Sequence, residues 1–248
     1  MPLVLQGPKR DLHVSTHKSD YDILQRVANY QFLTVEQMAE LLERNVISTR
    51  RRMMQLYRAG FLNRAQEHLN APYAYFLAEK GGRKAAELGF LPSPRWTDRK
   101  DPHHVAHDLT ITEFHLALEK ALKGHSLSWE QWRGDLRLGP DLIPDAKFTI
   151  DGEAPSFLEV VRSYESEYRG GKSSLEKKLE AYHEAKIHRV LITMPTQARI
   201  AHFLAKIEDI LPSTQFWFTD EDSFRKRILG KIWWTPRDFR DRTYSIFK

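Results

Sequence analysis

The sequence predicts an α+β protein in which a mainly helical N-terminal domain precedes a domain built on a mixed sheet flanked by helices. Three observations support this fold class. Apolar residues recur at helical spacing in three successive segments of the first sixty or so residues, and two short strand-like runs separated by a polar turn follow them. Beyond residue 103, apolar strand-like runs alternate with helical patterns. A chain of 248 residues is long enough for two domains of ordinary size.

The first helix is predicted at residues 20–32, where Ile23, Leu24 and Val27 form an apolar stripe. A second helix begins after Thr34, which together with Gln37 has the spacing of a capping box, and we expect it to end near residue 45. A third helix is predicted to begin at Ser48 as its N-cap. It stops at Gly60, since glycine readily adopts the left-handed conformation that ends many helices.

The residues after Gly60 predict a hairpin, because the runs FLNRA and YAYFLA are separated by a polar turn that contains Ala71 and Pro72. A closing helix is expected at residues 79–88. Three helices followed by a hairpin is the order of a winged helix-turn-helix, a common DNA-binding fold. We therefore predict such a domain at residues 1–90, followed by a linker at residues 91–102 that is rich in proline and charge.

Positive charge is concentrated on the third helix and the strand after it. Five arginines and no acidic residue lie between Ser48 and Arg64. If one helix face is buried, the basic side chains point outward, towards a major groove. That buried face would consist of Thr49, Met53, Leu56 and Tyr57. The predicted DNA-binding residues are Ser48, Arg50, Arg51, Arg52, Gln55, Arg58, Arg64 and, in the hairpin turn, His68. Further phosphate contacts are expected from Lys80, Arg83 and Lys84. The alternatives are a solvated basic face and a helix that contacts protein.

The second domain is predicted at residues 103–248. A long amphipathic helix is expected at residues 103–123, with Val105, Leu109 and Phe114 on its apolar side. Strands are predicted in the runs SLSWEQW, PDAKFTI, SFLEVV, RVLITM and QFWFTD, and helices near residues 173–186 and 196–210. This alternation predicts a partly parallel sheet that is covered on both faces.

Two carboxylates, Asp145 and Glu159, lie on consecutive predicted strands separated by a turn, which would bring them close together. They resemble the PD-(D/E)XK motif of the restriction-endonuclease-like fold, in which such a pair binds Mg²⁺ with the help of a glutamate on the preceding helix and a lysine. Glu113 occupies the helix position, whereas Val161 replaces the lysine, which Lys178 could supply from the following helix. We expect that these acids are remnants or pair with Lys178 and Arg162 without a metal, in a nuclease-like domain that does not cleave DNA. The alternative is a Mg²⁺-dependent endonuclease that uses Asp145 and Glu159 with Glu113 and Lys178.

Composition limits the other functional classes. The absence of cysteine excludes disulfides, thiolate zinc sites and cysteine nucleophiles. No apolar run is long enough for a membrane span and the first residues lack the pattern of a secretory signal, so a cytoplasmic protein without membrane contact is expected. The net charge of +5 favours a polyanionic partner.

The histidines and tryptophans are expected to serve the fold. Helical spacing puts His103 or His104 on the same face as His107, but no third spaced ligand completes a metal site, so packing of these histidines against the sheet is favoured. Trp217, Trp233 and Trp234 are expected in a core or interface.

Taken together, these segments resemble the replication-relaxation family of plasmid and mobile-element proteins, over about residues 20–220. The segments that carry the resemblance are FLTVEQMAELL, RRRMMQLYRAGFLNR, YAYFLAEKGGRKA, HHVAHDLTITEF, the pair PDA and FLEVV, and KKLEAY. The resemblance implies a winged helix followed by a restriction-endonuclease-like domain, acting on double-stranded DNA in replication, relaxation or transfer. DNA binding then needs no cofactor, whereas cleavage would need Mg²⁺. Partners from replication or transfer, a homodimer, and a role as a transcriptional regulator remain open.

Overall fold

The computed structural model describes residues 17–90, 102–131, 138, 142–162, 174–207, 215–236 and 243–245. For residues 102, 103, 174 and 206 it describes only the backbone. The predicted linker lies, except for its last residue, outside the described residues. The chain divides into two compact units, Met1–Leu116 and Ala117–Lys248.

The first unit contains the predicted series of three helices, a hairpin and a closing helix. Its elements are α1 (Lys18–Tyr30), α2 (Val35–Leu41), α3 (Val46–Arg58), β1 (Leu62–Ala65), β2 (Ala74–Leu77) and α4 (Glu79–Glu87), followed by most of α5 (Pro102–Ala121). Strands β1 and β2 pair antiparallel, with Leu62 opposite Leu77. The first helix begins two residues earlier and ends two residues earlier than predicted.

Local capping accounts for the helix boundaries. The predicted capping box of α2 is present. The backbone N–H of Gln37 donates to Thr34 Oγ1, and the backbone N–H of Thr34 donates to Gln37 Oε1. The end predicted for this helix, near residue 45, was wrong, because the chain leaves the helix at Leu42 and Glu43 adopts a positive φ of 50°. Ser48 was also the wrong cap for α3. Asn45 fills that role, accepting from the Ile47 N–H at 2.8 Å, so α3 begins at Val46.

The core of the first unit is formed by the apolar faces of its helices together with the hairpin. Leu24, Met38, Met53 and Leu56 have no exposed surface, and Tyr75 of β2 is 2% exposed. Each such side chain stabilises the fold by roughly 1.5–3 kcal/mol through its removal from water. Gly60, just after α3, has the positive φ of 76° that is expected at this helix end.

Helix α5 differs from the amphipathic helix that was predicted, because polar as well as apolar positions are buried along it. Thr110 and Thr112 are 1% and 0% exposed, and Asp108 and His115 are both 8% exposed. The two threonine hydroxyls donate to the carbonyl oxygens of Ala106 and Asp108, four residues earlier, at 3.0 and 3.1 Å. These bonds let polar residues face a buried environment, which an apolar stripe alone does not reveal.

The second unit is built on a five-stranded mixed sheet. Its strands are β3 (Leu127–Gln131), β4 (Ala146–Ile150), β5 (Ser156–Val160), β6 (Arg189–Met194) and β7 (Phe216–Asp220), adjacent in that order. The first three pair antiparallel, and β5, β6 and β7 pair in parallel. The α+β class with a mixed sheet is thus confirmed.

Three helices accompany this sheet: α6 (Ser174–Glu184), α7 (Gln197–Ile207) and α8 (Glu221–Arg227). The first two were predicted. Helix α8 was not predicted, although Asp220 caps it by accepting from the Ser223 N–H at 3.0 Å. No helix in the described part of the chain is long and apolar enough to cross a membrane.

One sheet face packs against α6 and α7 in a single apolar core. Every residue of β5 is buried, as is typical of a strand within a parallel sheet. Leu179 of α6, Leu204 of α7 and Ile192 of β6 have no exposed surface. Trp233 is fully buried, as predicted for a core residue, while Trp217 packs edge-on against Tyr244.

Candidate functional site

The outward face of α3 carries basic side chains opposite the face that enters the core. Thr49, Met53, Leu56 and Tyr57 are buried, whereas Arg51 and Arg58 are exposed. Among the described residues, Arg51 and Arg58 make no hydrogen bond or ion pair. Their spacing of seven residues places them two turns apart on one side of the helix. Two guanidinium groups are therefore available at this surface.

The other predicted basic residues of α3 are engaged within the unit. Arg50 forms an exposed ion pair with Glu36 of α2 at 2.8 Å. Arg52 binds Asp20 of α1 through two nitrogens, with Nε 2.5 Å from Oδ1, and its Nη1 donates to Gln55 Oε1 at 2.8 Å. Hydrogen bonding to Asp20 raises the pKa of Arg52 above its usual value. Arg52, which also contacts Gln55, thus holds α3 against α1.

Arg64, on β1, lies over two tyrosine rings, 4.0 Å from the centroid of Tyr73 and 4.8 Å from that of Tyr57. Such stacking stabilises the hairpin on α3. His68 is exposed in the hairpin turn, where its carbonyl accepts from the Ala71 N–H at 2.9 Å. Ser48 is exposed, and its hydroxyl donates to the Asn45 carbonyl at 2.8 Å.

The candidate phosphate-binding residues of α4 also have partners. Lys80 donates to the Ala59 carbonyl at 3.0 Å, Arg83 pairs with Glu79 at 3.2 Å, and Lys84 pairs with Glu87 at 2.9 Å. The two ion pairs join neighbouring turns on the surface of one helix, where water screens the charges, so each pair contributes little to stability. A phosphate could therefore replace the carboxylate partner at little energetic cost.

The second unit brings together Asp145, Glu159 and Lys178, three of the four predicted catalytic residues. Strands β4 and β5 pair antiparallel next to Asp145, whose Oδ2 accepts from the Val160 N–H at 2.7 Å. Lys178 Nζ of α6 lies 2.5 Å from Glu159 Oε2, and the hydroxyl of Tyr182 donates to Glu159 Oε1 at 2.6 Å. Tyr182 was not predicted, although its position one helical turn after Lys178, in the segment KKLEAY, places both on one face of α6.

Burial dominates the electrostatics of this cluster. Glu159 is 2% exposed, and burial, with the nearby charge of Asp145, raises its pKa to about 8 against the opposing effects of Lys178 and Tyr182. Burial also raises the pKa of Tyr182, which stays a neutral donor. For Lys178, burial acts to lower the pKa, but the charges of Glu159 and Asp145 outweigh it and raise the value. The lysine is therefore charged at neutral pH.

The carboxylates as arranged do not fit a Mg²⁺ site. A hard divalent cation needs several oxygen ligands with room for water, but both oxygens of Glu159 are held by Lys178 and Tyr182 in a buried position. No group of three or more metal-ligating side chains occurs within the described residues. Glu113, the fourth predicted catalytic residue, lies on α5 in the first unit, whereas Glu159 and its two partners belong to the second. Arg162 pairs with Glu221, at 3.6 Å.

Around His104 and His107, at the start of α5, the described side chains likewise form no such group. His104 is exposed, and His107 Nδ1 lies 3.2 Å from Oδ1 of the neighbouring Asp108. The side chain of His103 lies outside the described part of the structure.

Comparison with known proteins gives a family. No curated protein and no solved structure matches the chain. The family model described as replication-relaxation matches residues 24–190, about two thirds of the sequence and parts of both compact units. The chain therefore belongs to the replication-relaxation family, with a role in plasmid or mobile-element replication or relaxation.

Proposed function

We propose that the protein binds double-stranded DNA through α3, which lies in the major groove, and that it acts on plasmid or mobile-element DNA as a binding protein. The observation that carries the proposal is the pair Arg51 and Arg58. Both are exposed on one side of a helix without acidic residues, and neither has an intramolecular partner among the described residues. An unpaired guanidinium can bind a phosphate or the O6 and N7 of guanine without first breaking another interaction.

The connection between α2 and α3 supports this use of the helix. Four residues, 42–45, separate the two helices, which is the length of the turn in helix-turn-helix proteins. Met38 of α2 packs in the same core as Met53 and Leu56 of α3, so the inner side of α3 is held in the core. Its outer side carries the exposed Arg51 and Arg58. The hairpin then occupies the place of a wing, with His68 in its exposed turn.

Within this proposal, the contacts of each predicted arginine decide whether it binds DNA or stabilises the fold. Arg51 and Arg58 contact DNA, and Arg50 joins them by exchanging Glu36 for a phosphate, because an exposed ion pair contributes little stability. Arg52 and Arg64 serve the fold, since Asp20 and the tyrosine rings hold them. The second unit is proposed to be a nuclease-like domain without cleavage activity, in which Lys178 and Tyr182 occupy both carboxylate oxygens of Glu159.

Fluorescence anisotropy with a labelled random-sequence duplex, in a salt series, tests the binding proposal. The double variant Arg51→Ala/Arg58→Ala should bind roughly tenfold or more weakly and reduce the slope of log affinity against log salt by about two, one for each phosphate that α3 no longer neutralises. The control is Arg227→Ala, which removes an equally charged, exposed side chain from α8. Equal affinities and slopes for the double variant and the control would remove α3 from the interface.

A further inference from the structure

Two exposed apolar side chains lie on the same helix as the arginines proposed to bind DNA. Ile47, the second residue of α3, is 76% exposed, and its neighbour Val46 is 37% exposed. Leu69, in the hairpin turn, is the only other large apolar residue with comparable exposure among the described residues. Single exposed apolar residues are common on protein surfaces, so the exposure of Ile47 gains meaning only from the charged side chains beside it on α3.

Ile47 shares the outward face of α3 with both unpaired arginines. Arg51 follows it by four residues and Arg58 by eleven, so all three side chains project within a narrow angle of one another. The occupant of this face must therefore offer an apolar group beside negative charge. A second copy of this surface would set arginine against arginine, whereas a DNA major groove offers phosphates, base acceptors and the C5-methyl group of thymine together.

The first turn of α3 also holds Ile47 in place. The Asn45 side chain accepts from the Ile47 N–H at 2.8 Å and from the Ser48 N–H at 3.4 Å, and the Ser48 hydroxyl returns to the Asn45 carbonyl. Arg44, the residue before Asn45, is tied to Asp22 of α1 at 2.7 Å. A recognition helix contacts base edges with its N-terminal residues, and this end of α3 is the capped, positioned end.

We propose that Ile47 contacts the methyl group of a thymine, and hence that the recognised DNA site contains a T·A pair read by apolar contact at the N-terminal end of α3. This inference rests on the proposed function. It adds a specificity that arginines alone do not supply, because they favour guanine or phosphate. Uracil, which lacks only the C5-methyl group, is the chemical probe for such a contact.

The experiment begins with selection of bound duplexes from a random-sequence library with the full chain. The best selected duplex is then made with thymine, and again with uracil in place of every thymine of the selected site. The wild type should bind the uracil duplex about fourfold more weakly for each methyl group contacted, as expected for removal of one buried methyl. Ile47→Ala should bind the thymine duplex as weakly as the wild type binds the uracil duplex, and should no longer distinguish the two.

Each contrary result has a separate meaning. Equal affinity of the wild type for both duplexes overturns the methyl contact but leaves DNA binding by α3 intact. An equal loss with uracil in wild type and Ile47→Ala assigns the effect to DNA shape or to another residue, and also overturns it. Failure to enrich or retain any duplex, even at low salt, overturns the proposed function together with this inference. Leu69→Ala removes an equally exposed side chain outside α3 and should leave the thymine-to-uracil ratio unchanged.

Discussion

Arg52 of α3 and Asp20 of α1 form a two-nitrogen ion pair in which the carboxylate has no exposed surface and the guanidinium side chain is 22% exposed. The pair joins the first helix of the chain to the helix that carries the proposed DNA surface. Asp20 also accepts from the His17 N–H at 2.6 Å and so helps to begin α1. One buried carboxylate thus fixes both the start of α1 and the orientation of α3.

Replacement of Arg52 by methionine should therefore destabilise the protein more than its partial exposure suggests. The change leaves Asp20 buried without its cation, and loss of one partner of such a pair costs on the order of 3 kcal/mol. Urea unfolding would measure the difference in free energy. The matched control is Arg44→Met, which breaks the more exposed Arg44–Asp22 pair and should cost less than about 1 kcal/mol. Similar losses in both variants would contradict the structural role of Arg52.

The basic character of α3 could be predicted from the sequence, but which of its arginines pair within the unit could not. The run of Arg50, Arg51 and Arg52 presents three identical side chains at three angles around the helix. Which of them is free depends on Glu36 and Asp20, which are distant in sequence and come close only when α1, α2 and α3 pack together. Helical periodicity gives the direction of a side chain and not the identity of what it meets.

A similar limit applies to the second unit. The pairing of β4 with β5 followed from two apolar runs around the DG turn, and Asp151 and Gly152 there have positive φ values of 51° and 74°. The occupation of Glu159 by both Lys178 and Tyr182 depends on how α6 packs on the sheet, which periodicity does not specify. The length of α5 was predicted within a few residues, whereas its buried threonines were not, because backbone acceptors within the helix satisfy them.

The buried pair of His115 and Tyr30 gives the protein an acid-sensitive point. His115 Nδ1 lies 2.6 Å from the Tyr30 hydroxyl, and burial, with a smaller contribution from Arg26, lowers the pKa of His115 from 6.5 to about 4. The unfolded chain therefore binds more protons between these values, so the free energy of unfolding falls as the pH decreases from 6.5 to about 4. The loss amounts to roughly 3 kcal/mol.

Urea unfolding across this pH range, in wild type and His115→Gln, would measure that contribution. The variant lacks the titrating ring, so its stability should depend less on pH between 6.5 and 4, whatever its absolute value. Parallel curves for the two proteins would show that other groups cause the acid sensitivity.

The proposed lack of cleavage can be tested on supercoiled plasmid with Mg²⁺ or Mn²⁺. We expect no nicking by the wild type, because any metal must displace Lys178 and Tyr182 from both oxygens of a buried Glu159. Gel electrophoresis would follow the conversion of supercoiled to open-circular DNA, with Asp145→Ala/Glu159→Ala as the control for contaminating nuclease. Nicking by the wild type that the double variant lacks would establish a nuclease that uses the displaced lysine.

Lys178→Met should destabilise the protein, and increasingly so as the pH rises above about 8. Burial, aided by Asp145, raises the pKa of Glu159 to about 8, and the change removes the main opposing charge, so that pKa rises further. Between pH 4.5 and about 8 both native proteins keep Glu159 protonated, so the loss relative to the wild type is constant there; above pH 8 Glu159 ionises in the wild type but not yet in the variant, and the loss grows. Urea unfolding should show a loss of about 3–5 kcal/mol near pH 9.5 and a smaller loss near pH 6. Adding Glu159→Gln, which removes the buried charge, should restore stability and abolish the difference between the two pH values, whereas a loss independent of pH and unrelieved by this change would point to packing of the Lys178 side chain instead.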